Sequence, residues 1–293
     1  MKIKTITLFL TSLVFANTSH ALILGTNVDY SVGGTVVNSF SDTTTSSAAS
    51  PASISSKFLQ GSNYNYSGDG FASASNESGV GIVSVDGVFD SGRSEIHTLS
   101  AQATNSDTIV NSSGGSQEFF YDFTVFGPSL SLTDFVGVAD SDIDAPTASY
   151  DMSILVNGAS VWNSSAVLHG GTGGHELLES GTDLGGTFFT DSDYSSIFGY
   201  DFNDYLGTVS LGIFDDSESF LFETVMEVIV SSYDFELGGR ASIGDPGDIT
   251  GSGFGGVVSA QSLASTAVPE PSVIALFGLG LAGVVFSRRK KSV

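Results

Sequence analysis

The chain has 293 residues, with 32 acidic against 9 basic, a formal charge of −23 and no cysteine. That charge repels nucleic acid and anionic membranes, which excludes DNA or RNA binding and makes divalent cations the ions it attracts. Without cysteine there is no disulfide framework, cysteine nucleophile or thiolate metal site, so stability must come from core burial, bound ions or partner contacts.

The first predicted element is an export signal, Met1–Ala21. Lys2 and Lys4 precede an apolar stretch from Ile6 to Ala16, and Ser19-His20-Ala21 supplies small residues for signal peptidase, with cleavage between Ala21 and Leu22. The apolar core is too short, and its flanks are wrong, for a stable membrane span. The body, residues 22–263, follows. Six of the nine basic residues lie in the two terminal segments. Leu22–Ala267 therefore holds 31 acids against Lys57, Arg93 and Arg240, a balance of about −28.

Body composition points to strands. Glycine is frequent (36), as are Phe (22) and Tyr (9), and long amphipathic helix patterns are absent. Ser39–Ser56 is Ser/Thr/Ala-rich and reads as a flexible loop or an edge segment. Beyond it come short β-branched and aromatic runs cut by Gly, Ser, Asn and Asp: Gly81–Phe89, Glu118–Phe126, Ser149–Val156, Tyr205–Phe214 and Phe220–Phe235. In the second run Phe119, Tyr121, Phe123 and Val125 alternate with Phe120, Asp122 and Thr124. In the last, Phe220, Phe222, Thr224, Met226, Val228 and Val230 share one face. Repeated period-2 patterning predicts an all-β fold, a two-layer antiparallel β-sandwich or jelly roll, with Gly-Gly and Gly-Pro breaks as turns. Ser242–Gly256 is Gly/Asp-rich, with a turn at Asp245–Asp248.

Candidate chemistry is sparse. Asp140, Asp142 and Asp144 place alternate carboxylates on one loop, a donor set for calcium, although Ala145, Pro146 and Asp151 break the EF-hand pattern. A solvated acidic loop is the heavier expectation there, and also at Asp191–Asp193 and Asp215–Glu218. His169, His175 and Glu176 could hold zinc, but the intervening glycines favour a hairpin turn with exposed histidines. His97 reads as a half-exposed structural histidine on a strand. No catalytic constellation emerges: there is no G-x-S-x-G elbow, and acids are too abundant for any pair to stand out.

The C-terminus is the most specific part of the chain. After a short linker, Pro269-Glu270-Pro271 is followed by an uncharged apolar segment, 272–287, and then by Arg288, Arg289, Lys290 and Lys291. Sixteen residues rise roughly 24 Å, short of a ~30 Å hydrocarbon core, which suits a temporary anchor with snorkelling cations. The positive-inside rule puts Arg288–Lys291 in the cytoplasm and the body outside. Pro-Glu-Pro, one apolar span and a basic tail resemble the PEP-CTERM sorting signal, here residues 264–293 with their linker. The stretches Trp162–His175, Glu179–Phe189 and Arg240–Pro246 also resemble bodies of uncharacterised, β-rich PEP-CTERM proteins.

That resemblance implies an exported protein of a Gram-negative bacterium. It would be held briefly in the inner membrane, processed by an exosortase near Pro269–Pro271, and delivered to the cell surface or extracellular matrix. The expected role is structural or adhesive, in exopolysaccharide-rich aggregates. The alternative is a secreted carbohydrate-binding module or polysaccharide hydrolase, with Tyr64, Tyr66, Trp162 or Tyr200 exposed to stack on sugar rings. No cofactor beyond calcium at the Asp140 loop is expected.

Overall fold

The computed structural model describes residues 21–47, 53–59, 66–75, 80–89, 96–133, 146–170, 175–191, 197–232, 237–244 and 254–263. The chain divides into two compact units, Met1–Gln261, which carries the sheets, and Ser262–Val293.

The described residues form strands and no helix: β1 (Ala21–Val32), β2 (Thr35–Ser47), β3 (Ser53–Leu59), β4 (Tyr66–Ser75), β5 (Val80–Phe89), β6 (His97–Val110), β7 (Gln117–Val125), β8 (Ser129–Thr133), β9 (Thr147–Val156), β10 (Ala159–His169), β11 (Glu176–Gly181), β12 (Gly186–Asp191), β13 (Ile197–Phe202), β14 (Tyr205–Phe214), β15 (Ser219–Ser232), β16 (Leu237–Ile243) and β17 (Phe254–Ser262). They make two antiparallel sheets. The first has seven strands in the order β11-β10-β9-β15-β6-β1-β2. The second has ten, ordered β12-β13-β8-β16-β5-β17-β7-β14, with β4 also on β5 and β3 on β4. The expected β-sandwich is therefore present.

Alternation places the core. Along β15 every second residue from Phe220 to Ser232 is buried, and along β7 Phe119, Tyr121, Phe123 and Val125 point inward. A one-residue slip would turn these rows to solvent, so burial pins the register of both strands. Aromatic rings join the two sheets. Phe119 meets Phe220 edge-on at 5.2 Å, Tyr121 meets Phe222 at 4.8 Å, and Phe123 meets Trp162 at 4.9 Å. Fully burying each such side chain stabilises the fold by about 1.5–3 kcal/mol. Glycine makes room where the sheets approach. A Cβ on Gly81 would collide with the Met226 thioether, and one on Gly70 with the Val28 side chain.

The turns follow local backbone chemistry. Gly33 and Gly34 both take positive φ between β1 and β2, so the Gly-Gly break expected from sequence is a real hairpin turn. Asn157-Gly158 does the same between β9 and β10, with φ of 51° and 77°. Asn157 also fastens this hairpin to β15, accepting from the Leu221 N–H at 2.9 Å.

Several expectations change against the structure. Of the two readings of Ser39–Ser56, the edge segment holds and the loop does not in its described part. Ser39–Ser47 belongs to β2, the edge strand of the first sheet, and Ser53–Ser56 opens β3, which pairs only with β4 among the described residues. The Phe220–Phe235 run ends as a strand at Ser232, and its last three residues lie outside the described part. Ser242 and Ile243 complete β16 and Phe254 begins β17, whereas Asp245–Asp248 lie outside the described residues.

Candidate functional site

The Asp140, Asp142 and Asp144 loop lies outside the described residues, as do Tyr64, the signal segment 1–20 and the C-terminal residues 264–293. Tyr66 opens β4, but its side chain is not among those described. Ala21 begins β1, and Leu22 packs against the core. No described helix is long and apolar enough to cross a membrane.

Three sequence candidates are structural elements. His97 is 3 % exposed rather than half-exposed: it lies at the start of β6 with its Nδ1 2.7 Å from the Tyr30 hydroxyl. Asp215–Glu218 forms the β14–β15 turn. Ser116 Oγ donates to Asp215, the Gly114 N–H to Asp216, and the Asp215 N–H to Glu218, so these carboxylates are engaged in closing the loop. His169 and Glu176 face each other across β10 and β11, while His175 stacks flat on Phe198, with ring centres 3.8 Å apart. Among the described residues no group of three His, Asp or Glu side chains could hold a metal ion. This removes the zinc reading of His169, His175 and Glu176.

The aromatic candidates also turn inward. Trp162 is half-buried against Phe123, Tyr205 and Phe254, and its indole Nε1 has no hydrogen-bond partner among the described residues. Tyr200 is 8 % exposed and packs on Phe202 at 4.6 Å. Neither presents a flat ring to solvent.

A different arrangement concentrates polar and aromatic groups. At one side of the sandwich, edge strand β11 of the first sheet and edge strand β12 of the second are joined by residues 182–185. Here the inner faces run out into solvent. On the first sheet the inner row is Tyr150, Ala166 and Glu179 across β9, β10 and β11. On the second it is Leu130, Tyr200 and Phe188 across β8, β13 and β12. Tyr150 and Tyr200 are covered, but the edge residues are open: Glu179 is exposed and Phe188 is 53 % exposed. Phe188 meets Tyr200 edge-on at 4.7 Å and tilts toward Phe198 at 5.1 Å, and Phe198 also stacks on His175.

The closed end of this mouth is a hydrogen-bonded knot. Ser164 Oγ donates to the Thr182 carbonyl at 2.8 Å and lies 3.1 Å from the Tyr150 hydroxyl. The Thr182 N–H donates to the Asn163 carbonyl, and Asp183 accepts from the Gly185 N–H at 2.6 Å. Leu184 plugs the loop into the core. Burial first, and then the like charge of Asp183, hold Glu179 above its ordinary value of 4.5. Burial, then Glu179 and Asp183, also raise the Tyr200 hydroxyl. Asp183 therefore acts on Glu179, and both carboxylates act on both tyrosines. Sequence reading missed the site because inward-facing residues become accessible only where two edges end together, a tertiary feature.

A second acid group lies on the outer face of the first sheet. Asp151 on β9 stands directly across from Glu227 on β15, and the charge of Asp29 also reaches Glu227. No aromatic ring flanks that pair along its row, which runs from Ser165 through Asp151, Glu227 and Gln102 to Asn27.

No curated protein matches the chain. Residues 267–290 match the family described as the PEP-CTERM protein-sorting motif, so this chain carries a PEP-CTERM sorting signal and with it the mark of an exosortase-targeted, secreted surface protein.

Proposed function

We propose that the protein is an exported surface or matrix component with a structural and adhesive role in exopolysaccharide-rich aggregates, delivered there by two terminal signals. Signal peptidase cuts between Ala21 and Leu22. The segment 272–287 then holds the chain in the inner membrane, with Arg288–Lys291 in the cytoplasm. An exosortase recognises Pro269–Pro271 and releases the body. The PEP-CTERM match at residues 267–290 supports the sorting part of this reading. The last described strand ends at Ser262, short of the matched motif, which supports it.

The test is substitution of both prolines, Pro269→Ala with Pro271→Ala, in the native host. Those rings keep the motif extended and accessible, and alanine lets the segment continue into the apolar span. The double variant should stay membrane-bound and full length, as read by fractionation and mass spectrometry of the C-terminus. Release and trimming at the wild-type rate would remove the sorting assignment.

A further inference from the structure

Among the described residues five strands have a neighbour on one side only: β2 and β11 in the first sheet, β12 and β14 in the second, and β3, which pairs with β4. Each presents a row of backbone N–H and C=O groups that another strand can pair with, and soluble proteins blunt such rows with charge or proline. Four of the five strands carry a charged residue: Asp42 in β2, Glu176 and Glu179 in β11, Asp191 in β12 and Lys57 in β3. β14 carries none, and its ten residues, Tyr205–Phe214, include no proline. In a body with 31 acids and three bases, an uncharged edge of that length stands apart.

The inner side of β14 is filled. A Cβ on Gly207 would meet the Phe123 and Tyr205 rings, and Tyr205 stacks on Trp162 of β10. Its outer side is open. Leu206 is 80 % exposed, more than any other large apolar residue described. Next along that face, Thr208 and Ser210 donate to Asp122 and Glu118 on β7, so the nearest carboxylates are hydrogen-bonded one strand in from the edge. Asp204, which precedes the strand, accepts from the Gly127 N–H of its own chain. A register shift between Ser210 and Gly212 interrupts the last part of the strand, which leaves Tyr205–Ser210 as its regular length.

Charge decides which partner fits. The acids of the body attract a cationic segment, but β14 offers it nothing to pair with. A second copy is repelled at every charged edge, where like charges would stand one strand spacing apart, about 5 Å. Two β14 strands meeting edge to edge place the carboxylates of β7 three spacings from their counterparts, about 14 Å, beyond the ~8 Å screening length of physiological salt. Each copy supplies the same uncharged row, so the pairing is self-complementary about a two-fold axis and closes at two.

We propose that β14 is a self-association edge, at which two copies of this chain pair antiparallel, join their second sheets and cover Leu206. Six paired residues make a contact below the ~1,200 Å² of a stable interface, so the equilibrium is dynamic and depends on concentration. The pairing belongs to the body and does not rest on the sorting assignment.

The experiment uses the full chain in detergent, with its protein mass followed by sedimentation over a wide concentration range. Wild type should pass from one protomer to two, and should do so at lower concentration in physiological salt than in low salt, because screening lifts the residual repulsion. Leu206→Glu adds a like charge at an exposed position opposite Thr124, so it should melt as wild type does and weaken association by at least about tenfold. The chain has no cysteine, so single introduced thiols locate the contact. A short bismaleimide should join Thr208→Cys chains into dimers and leave Ser41→Cys chains, altered on the β2 edge, as monomers. A monomer at every concentration, a dimer that Leu206→Glu leaves intact, or equal cross-linking at the two edges would each overturn the proposal. The cross-linking comparison separates pairing at β14 from association through the apolar C-terminal segment, and it decides the matter even if Leu206→Glu lowers the melting point.

Discussion

At the scale of single residues, Asn111 shows how one buried polar side chain organises distant backbone. It is 0 % exposed. Its Nδ2 donates to the carbonyls of Gly115 and Phe214, both at 2.8 Å, and its Oδ1 accepts from the Ser113 N–H and hydroxyl. Its own backbone bonds Glu218 and Ser217. One side chain thus ties the β6–β7 loop to the β14–β15 turn. Asn111→Ala should leave two carbonyls and an N–H without these partners, and should cost about 2–4 kcal/mol, since each unmade buried bond costs about 1–3 kcal/mol. Thermal melting should register that loss, with Asn111→Asp falling between wild type and alanine. An unchanged melting point for Asn111→Ala would mean the two loops hold without it. Nothing in the sequence marks this residue: Asn111-Ser-Ser-Gly-Gly reads as an ordinary turn, and its role follows from a contact 103 positions away.

At the scale of elements, what could be read in advance depended on how each strand is buried. β15 and β7 have one face in the core and one outside, so period-2 alternation announces both the strand and its inner row. β2 is an edge strand whose residues from Thr35 to Thr43 are all exposed, so no face is selected for apolar residues and its Ser/Thr run reads as a loop or an edge segment without alternation. Outer faces carry their own signal in ionisation. Asp151 and Glu227 stand opposite each other across β9 and β15. Burial raises Asp151 above its ordinary 3.8; burial, then the charges of Asp151 and Asp29, raise Glu227 above 4.5. The folded state therefore holds these protons more tightly than the unfolded chain. Stability from this pair is greatest when both are protonated, and it falls as pH rises through the raised values. Melting temperature should decline upward from the ordinary carboxylate range, and Asp151→Asn with Glu227→Gln should flatten that decline and raise stability near neutrality. A steeper decline in the double variant would reverse the sign assigned to the pair.

At the scale of the whole molecule, the question is how a body with 31 acids and three bases stays folded. The described surface meets its carboxylates with neutral donors. Thr208 Oγ1 donates to Asp122 at 2.6 Å, Ser210 Oγ to Glu118 at 2.8 Å, Ser129 Oγ to Asp201 at 2.7 Å, and the Gly127 N–H to Asp204 at 2.8 Å. This gives the abundant Ser and Thr a structural use, but hydroxyls cancel no charge, and mutual repulsion remains. Dissolved ions should therefore stabilise the protein in one of two ways. Diffuse screening depends on ionic strength and treats cations alike. A specific site prefers Ca²⁺, because Mg²⁺ demands tighter octahedral geometry and gives up its waters reluctantly. Asp140, Asp142 and Asp144 are the candidate site, outside the described residues and proposed from sequence spacing. Saturating such a site a hundredfold above Kd adds about 2.7 kcal/mol. For a domain of this size that is a rise of about 5–10 °C. The full chain should be melted in millimolar Ca²⁺, in Mg²⁺ and in NaCl of matched ionic strength, then again as Asp142→Asn with Asp144→Asn. Screening raises the melting point in all three salts. A calcium site adds a further rise in Ca²⁺ that the double variant abolishes. Equal shifts in the three salts, or a calcium increment that survives the double variant, would assign the whole effect to screening and remove the loop as a metal site.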